Sequence, residues 1–459
     1  MATKTMAGLG ARLGKLVNWE STRARSGMKD IDASACGRIC EALGWPQRHF
    51  RTVHITGSKG KGTVGALVGA GLWSAGLRVG VVSSPHVVRV TERVRLSQKS
   101  GLVEINESVL ASAFERAIDE VERRKIFDAS WFDVFIASSF LVLKEHRCDV
   151  VVVECGLGGR RDSTNVLSSK ICVLTSVELE HTEVLGDTVE AIATEKAAIA
   201  SKGGTLVVAA TSSVPERARR AARRVAKRRG ATLKVAALLP RKTSRYDLEA
   251  SNLAVAKMAL DELGRRRLRQ KKKKTSFSRK SFVSGSLLSN PRALDTALKA
   301  LPGRREFLSK DLVLDGCHTD QSLRAFAAFL RRSERPVVAL VALAAEKNER
   351  TFATAVASAL RPTALICAPL SPGETHKSQQ LAEAHRARGL PHVHSETDID
   401  TALLTATTIA KDNDAILAVF GSFALCGHVK NIMDEAKKRK EENDILLESP
   451  SDVHLNSVN

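Results

Sequence analysis

Residues 53–63 read VHITGSKGKGT: a short apolar run, a turn bearing Gly57, Gly60 and Gly62, and then the start of a helical pattern. Strand, glycine-rich loop and helix in that order make a phosphate cradle. The glycines let backbone N–H groups approach phosphate oxygens, Lys61 reaches toward the outer phosphates, and Thr63 brings a hydroxyl suited to ordering Mg²⁺. The run departs from the ordinary GxxxxGK[ST] pattern, because Gly62 separates Lys61 from Thr63. On its own such a turn is weak evidence, and its weight comes from what lies downstream.

Outward from this loop, apolar strands alternate with amphipathic helices, the pattern of an α/β protein with a parallel sheet covered on both faces. Strands are expected at Val53–Thr56, Arg78–Val82, Asp149–Val153, Ile171–Ser176 and Thr205–Ala209. The alternation pauses near Ser281–Gly285 and resumes after Leu301-Pro302-Gly303 with Leu312–Leu314, Pro336–Leu343, Ala364–Ala368 and Ala415–Phe420. Two domains are expected, 9–300 and 301–440, with a basic insertion at about 264–282 and a polar, frayed tail over 441–459.

A composition of 43% hydrophobic and 26% charged residues suits a folded chain of 459 residues, and no apolar run is long enough to span a bilayer. Eight scattered cysteines without a CxxC pair speak against zinc and against a disulfide framework, and so for a reducing, cytoplasmic setting. The N-terminus lacks the apolar core of a secretory signal, and its basic character leaves a mitochondrial address open. The net charge of +21 is local: 217–229 (RARRAARRVAKRR) and 265–280 (RRRLRQKKKKTSFSRK) hold 18 basic residues and no acid, and the remainder carries +3. Neither tract interleaves aromatics, so nucleic acid is not the expected partner.

Three further segments carry chemistry. SSPHVVRVTERVRL (Ser83–Leu96) offers hydroxyls, a proline turn and arginines, and reads either as a binding loop or as a loop and a basic strand. DVVVVECGLGGRRDSTNV delivers Glu154 to the carboxyl end of a buried strand, where open α/β sheets bind ligands. ICVLTSVELEHTEVLGDT is expected to carry His181 at a neighbouring strand tip. Two such ligands beside a phosphate cradle suggest a cation bridging protein and nucleotide, and the alternative for Glu154 is a solvent-facing strand end. Lys196 falls in the helix TVEAIATEKAAI, where a lysine is ordinarily exposed.

Taken together, GSKGKGT, SSPH with ERVR, GLGGRRDSTN, EHTEVLGDTVEAIATEKAAI, PGR at Pro302–Arg304 and DGCH at Asp315–His318 resemble the motifs of the folylpolyglutamate synthase and dihydrofolate synthase family of the Mur ligase superfamily. The resemblance implies a Mur-ligase-type P-loop ATPase domain and a smaller Rossmann-like α/β C-terminal domain. It implies that Gly57, Lys59, Gly60, Lys61, Gly62 and Thr63 cradle ATP, and that Ser84, Glu154 and His181 bind Mg²⁺. Lys196 matches a carbamylated lysine of the family, whose carboxylate-like end holds a second cation. Asn252 matches an adenine contact, Arg304 a phosphate contact and Asp315 a ribose contact, while His318 and Ser422 resemble residues that handle glutamate.

The implied reaction phosphorylates a pteroate or folate carboxylate with ATP, and the acyl phosphate is then attacked by L-glutamate. Closure of the two domains is implied, so that water is kept from the acyl phosphate. SWFDVF (Ser130–Phe135), LPGRREFL and DGCHT look closest to dihydrofolate synthases, and Ser130, Arg161, Asp162 and Ser163 match positions that touch the pterin in bifunctional relatives. For Arg161 and Asp162 the alternative is a surface ion pair. The expected substrates are dihydropteroate or a reduced folate with L-glutamate, acted on by a monomer. A polyglutamate-only synthase is the alternative, and a decayed ligase fold binding nucleic acid is a remoter one. Glu178 and Glu180 make the segment before His181 unusually acidic for the family, and Ala198 stands where a glycine is usual.

Overall fold

The computed structural model of the chain describes residues 5–18, 32–210, 213–237, 250–270, 283–344, 347–371 and 375–447. Most of the second basic tract, 271–282, and residues 448–459 of the tail lie outside them. The chain divides into two compact units, Met1–Leu301 and Pro302–Asn459.

The first unit is built on β1 (Arg51–Thr56), β2 (Val79–Val82), β3 (Val94–Gln98), β4 (Gly101–Glu104), β5 (Val150–Glu154), β6 (Ile171–Leu174), β7 (Thr205–Ala209) and β8 (Thr232–Ala236). Their order across the sheet is β4-β3-β2-β5-β1-β6-β7-β8. From β2 to β8 every pairing is parallel, and β3 and β4 form an antiparallel edge hairpin. Burial explains the central strands: β5 is VVVVE with every residue buried, because helices cover both of its faces. One face packs against Lys61–Ser74 and Ala250–Gln270, the other against Glu107–Arg123 and Trp131–Glu145. Each large side chain wholly withdrawn there, such as Phe114, Phe135 or Phe140, contributes about 1.5–3 kcal/mol.

No strand is expected from the sequence over Thr232–Ala236, where β8 lies. Its residues TLKVA are mostly half-exposed at the sheet edge, so they lack the apolar run that marks the inner strands.

The second unit has β9 (Arg304–Ser309), β10 (Leu312–Asp315), β11 (Val337–Val341), β12 (Ala364–Cys367), β13 (Val393–Ser395) and β14 (Ile416–Phe420), in the order β13-β12-β11-β14-β10-β9. Only β9 runs antiparallel. Phe326, Phe352 and Phe420 fill its core. The expected frayed tail 441–459 is corrected only over 441–447, the end of the helix Phe423–Leu447, since residues 448–459 lie outside the described residues. Residues 431–447 (NIMDEAKKRKEENDILL) contain neither glycine nor proline and are rich in lysine and glutamate, which favours helix over this stretch.

Candidate active site

β1 ends where Gly57 turns away with φ +149°, so close to β6 that a Cβ there would lie 1.9 Å from Thr175 Oγ1. The loop is then pinned along 175–178. Ser58 N donates to Ser176 O at 3.0 Å, Lys59 N to Ser176 Oγ at 2.7 Å, and Thr175 Oγ1 to Lys59 O at 2.5 Å. Gly60 caps the helix Lys61–Ser74 at φ +81°, and a Cβ on it would lie 2.4 Å from Asn252 Oδ1. The structure therefore brings Asn252, from the helix Ala250–Gln270, against the glycine loop. Lys61 Nζ donates to Gly57 O at 3.0 Å, so its charge folds over the loop where a phosphate oxygen would be a stronger acceptor. These features fit a nucleotide: a backbone cradle with no room for side chains, and lysines at its rim.

Glu154, the last residue of β5, is 6% exposed, and its Oε2 accepts from Ser84 N at 3.4 Å. The same oxygen lies 3.5 Å from where a Cβ on Gly62 would stand, so carboxylate, Ser84 and cradle converge. A carboxylate with neighbouring hydroxyls suits Mg²⁺, which takes oxygen donors and keeps several waters.

His181 is not at a strand tip. β6 ends at Leu174, and His181 follows seven residues later with φ +48°, capping the single turn Thr182–Leu185. The intervening TSVELE is polar, and it is drawn across the sheet end by the loop bonds above and by Val177 N donating to Ser213 O at 2.8 Å. Among the described residues no three His, Cys, Asp or Glu side chains stand together as a metal site.

Lys196 lies in the helix Val189–Ala197 and is 1% exposed, contrary to the ordinary helical lysine. Its Nζ is 3.2 Å from Glu180 Oε1, while Glu180 Oε2 is 3.9 Å from Lys59 Nζ. Burial, reinforced by Lys61, lowers the Lys196 ammonium to about 8, against the opposing pull of Glu180. Burial alone would raise the Glu180 carboxyl, but Lys196, Lys61 and Lys59 outweigh it and hold it below its ordinary value. In the sequence Glu180 shows only as an unusual acid before His181.

The residues matched to a pterin contact form an internal network. Asp133 Oδ2 accepts from Ser130 N at 2.9 Å and Ser130 Oγ at 2.6 Å, and Oδ1 from Ser163 Oγ at 2.6 Å. Asp162 Oδ2 accepts from Leu157 N at 2.8 Å and Oδ1 from Thr164 N at 3.0 Å. Ser130, Asp162 and Ser163 are buried, and burial raises both aspartyl carboxyls. Arg161 N donates to Glu195 Oε1 at 3.1 Å, and Asp162, 6% exposed, is not on the surface where the alternative reading placed it. A further partner had no signal in the sequence: His54 of β1 is fully buried, with Nε2 2.8 Å from Thr164 Oγ1 and 3.1 Å from Cys155 Sγ. Burial lowers it to about 3.

In the second unit, Asp315 ends β10 and accepts from Arg305 N at 3.1 Å and Cys317 N at 2.8 Å. Burial raises its carboxyl against the opposing charges of Arg304 and Arg305. The Arg304 guanidinium stands 4.9 Å from the Phe423 ring centre, and that ring also closes on Gly316, where a Cβ would lie 2.4 Å away. His318 Nδ1 is 3.0 Å from Gly316 O. Ser422 Oγ accepts from Ala424 N at 3.1 Å, and Gly421 N donates to Cys317 O at 3.0 Å. Arg304, Asp315, His318 and Ser422 thus gather at one end of this sheet.

Residues 303–423 match the family model of the Mur ligase glutamate ligase domain. The chain is 35% identical to a dihydrofolate synthase/folylpolyglutamate synthase of Haemophilus influenzae over 195 residues, which are 42% of this chain and 43% of that protein. To the Escherichia coli protein of the same description it is 29% identical over 83% of this chain and 86% of that one. The crystal structure of the bifunctional folylpolyglutamate synthase/dihydrofolate synthase of Yersinia pestis, complexed with AMPPNP and Mn ion, is similar with a TM-score of 0.73 and 26% identity, covering 95% of this chain and 99% of that one.

Proposed function

The chain belongs to the folylpolyglutamate synthase and dihydrofolate synthase family, and from that premise we propose that it joins L-glutamate to the carboxylate of a pteroate or folate at the expense of ATP. The observation that carries this reading is the burial of Lys196 against Glu180 beside a glycine loop whose Lys59 reaches the same carboxylate. The loop cations Lys59 and Lys61 meet the negative charge that spreads over a transferring phosphoryl group, and the buried Lys196 amine, with its lowered proton affinity, is a group that carbamylation can take.

In this reading Lys59, Lys61 and the loop N–H groups hold the phosphates, and Asn252 and Asp315 contact the nucleoside. The acceptor carboxylate takes the γ-phosphoryl group of ATP, giving an acyl phosphate and ADP. The amine of L-glutamate then attacks the acyl carbon, an amide forms, phosphate leaves, and the amine gives up a proton. Ser84 and Glu154 would hold Mg²⁺, which supplies charge neutralisation at the phosphates; His181 and a carbamylated Lys196 are proposed as further ligands. Arg304 is assigned to the phosphates, and His318 and Ser422 to the incoming glutamate.

Dihydropteroate is the preferred acceptor, on the likeness of Ser130–Phe135 to dihydrofolate synthases, and the Ser130–Asp133–Ser163 network gives that segment a fixed shape. The test is ADP release by the purified protein with Mg²⁺, ATP and L-glutamate, comparing dihydropteroate with tetrahydrofolate. Activity with dihydropteroate alone establishes a dihydrofolate synthase, and with both a bifunctional enzyme. Tetrahydrofolate alone overturns the acceptor assignment, and silence with both overturns the ligase.

A further inference from the structure

The basic tracts 217–229 and 265–280 lie well apart in the sequence and take no part in the reaction proposed above, yet the fold brings them to one place. The first fills the helix Glu216–Arg228, and the second begins in the last turns of the helix Ala250–Gln270. Both reach the turn at residues 200–204, just before β7. Arg229 Nε donates to Ala200 O at 2.5 Å, Gly203 N to Gly230 O at 2.7 Å, and the Arg266 guanidinium to Gly203 O at 2.8 Å. Lys170 Nζ donates to Lys202 O at 2.8 Å, so Lys170, Lys202 and Arg229 stand exposed around the same turn. Because β1, β5, β6, β7 and β8 are parallel, the first residues of β7 and β8 lie at the edge of the sheet opposite to Gly57 and Glu154. This basic edge is therefore separate from the glycine cradle.

A cavity of about 400 Å³ opens there, lined by Thr205, Thr232, Lys234, Glu262, Arg265 and Arg266 among others. That volume is in the range of ligand pockets, about 300–1,000 Å³. Glu262, the one acid in the lining, is 5% exposed and already engaged: Oε1 accepts from Lys234 Nζ at 2.7 Å and from the Arg265 guanidinium, and Oε2 accepts from Thr205 Oγ1 at 3.5 Å. Burial alone would raise its carboxyl, but Lys234 and Arg265 hold it below its ordinary value. Among the described residues Arg266 meets only neutral acceptors, Gly203 O and, at 3.0 Å, Thr205 Oγ1, and its buried Nε has no partner. Lys234, Arg265 and Arg266 against Glu262 leave two positive charges in excess and a guanidinium N–H unused.

We propose that this cavity is a second anion site, which takes a phosphate dianion either as the free ion or as the end group of a phosphorylated small molecule. A dianion matches the excess of two charges, whereas a single carboxylate leaves one unmet. Phosphate also presents several acceptor oxygens at once, and guanidinium groups meet it in planar, two-point fashion. The exposed Lys170, Lys202 and Arg229 raise the concentration of anions near this edge of the sheet. A single strand of nucleic acid fits less well, because no aromatic ring lines the cavity for base stacking.

The experiment is equilibrium dialysis of radiolabelled orthophosphate against the full chain, with Lys61→Ala used to weaken the cradle. About one ion per chain should bind to Lys61→Ala, and adding Arg266→Gln should lower the affinity about tenfold or more, the scale of losing one charged hydrogen-bond partner. Should that variant fail to fold, Arg265→Gln at the more exposed guanidinium serves, with the same expectation. Competition by unlabelled ribose 5-phosphate tells the source: potency above that of orthophosphate assigns a phosphorylated small molecule, and equal or lower potency the free ion. Absence of binding to Lys61→Ala, or equal affinity in the folded double variant, overturns the proposal. So does displacement by duplex RNA at a lower concentration of phosphate groups than by orthophosphate.

Discussion

Lys196 Nζ and Glu180 Oε1 stand 3.2 Å apart beside the glycine loop, in a place where the lysine is 1% exposed. A primary amine held there has a reduced affinity for its proton, because burial and Lys61 act against the charge more strongly than Glu180 acts for it.

Stability should depend on pH through Lys196. The folded Lys196 value of about 8 lies below the ordinary 10.5, so between those limits the unfolded chain holds the extra proton. Stability contributed by this group therefore rises from pH 8 toward 10.5, by up to about 3 kcal/mol. Urea unfolding of the wild type and Lys196→Met at pH 8 and pH 10 checks it: the wild type should gain relative to the variant, and parallel curves would contradict the buried amine.

For turnover, Lys196→Ala should lower ADP release by at least about a hundredfold, the scale of losing one group that stabilises the transition state, here by holding a cation at the phosphates. Lys196→Glu should recover part of it, since a carboxylate stands in for a carbamate. Wild-type rates in Lys196→Ala would remove the lysine from the mechanism.

Gly60→Ala places a methyl group 2.4 Å from Asn252 Oδ1 at a φ of +81°. Nucleotide affinity should fall about tenfold or more, with a stability loss of about 1–3 kcal/mol from backbone strain. Fluorescent ATP-analogue binding and thermal melting report the two effects. Adding Asn252→Ala should relieve the contact but not the strain.

His54, lowered by burial to about 3 from an ordinary 6.5, binds its proton more weakly folded than unfolded. As pH falls below 6.5 the unfolded state gains, and at pH 5 the loss is about 2 kcal/mol. Urea midpoints for wild type and His54→Gln at pH 7 and pH 5 test this, with the shallower acid dependence expected in the variant. His385 in the second unit, lowered to about 4, adds acid sensitivity there by the same sign.

Asp133→Ala should cost about 2–4 kcal/mol, because it strips Ser130 and Ser163 of a buried acceptor and removes half of the helix cap at Ser130. Asp133→Asn, keeping one acceptor oxygen, should lose less. Equal losses would place the effect in volume rather than hydrogen bonding.

The sequence by itself determined the α/β alternation, the inner parallel strands, the glycine cradle and Glu154 at the end of β5. Each is written in local pattern: an apolar run of strand length, glycines where side chains cannot fit, a carboxylate closing VVVVE. Edge strand β8 and the antiparallel β9 were not legible, since half-exposed strands carry no apolar signature. Tertiary structure alone decided that His181 sits seven residues past β6, because hydrogen bonds between distant loops rather than local propensity route that segment. It also decided that Asn252 leans on Gly60, that His54 lies under Thr164, and that Lys196 faces Glu180 from inside the protein. Burial and charge proximity are properties of the packed chain, and no spacing along the sequence encodes them.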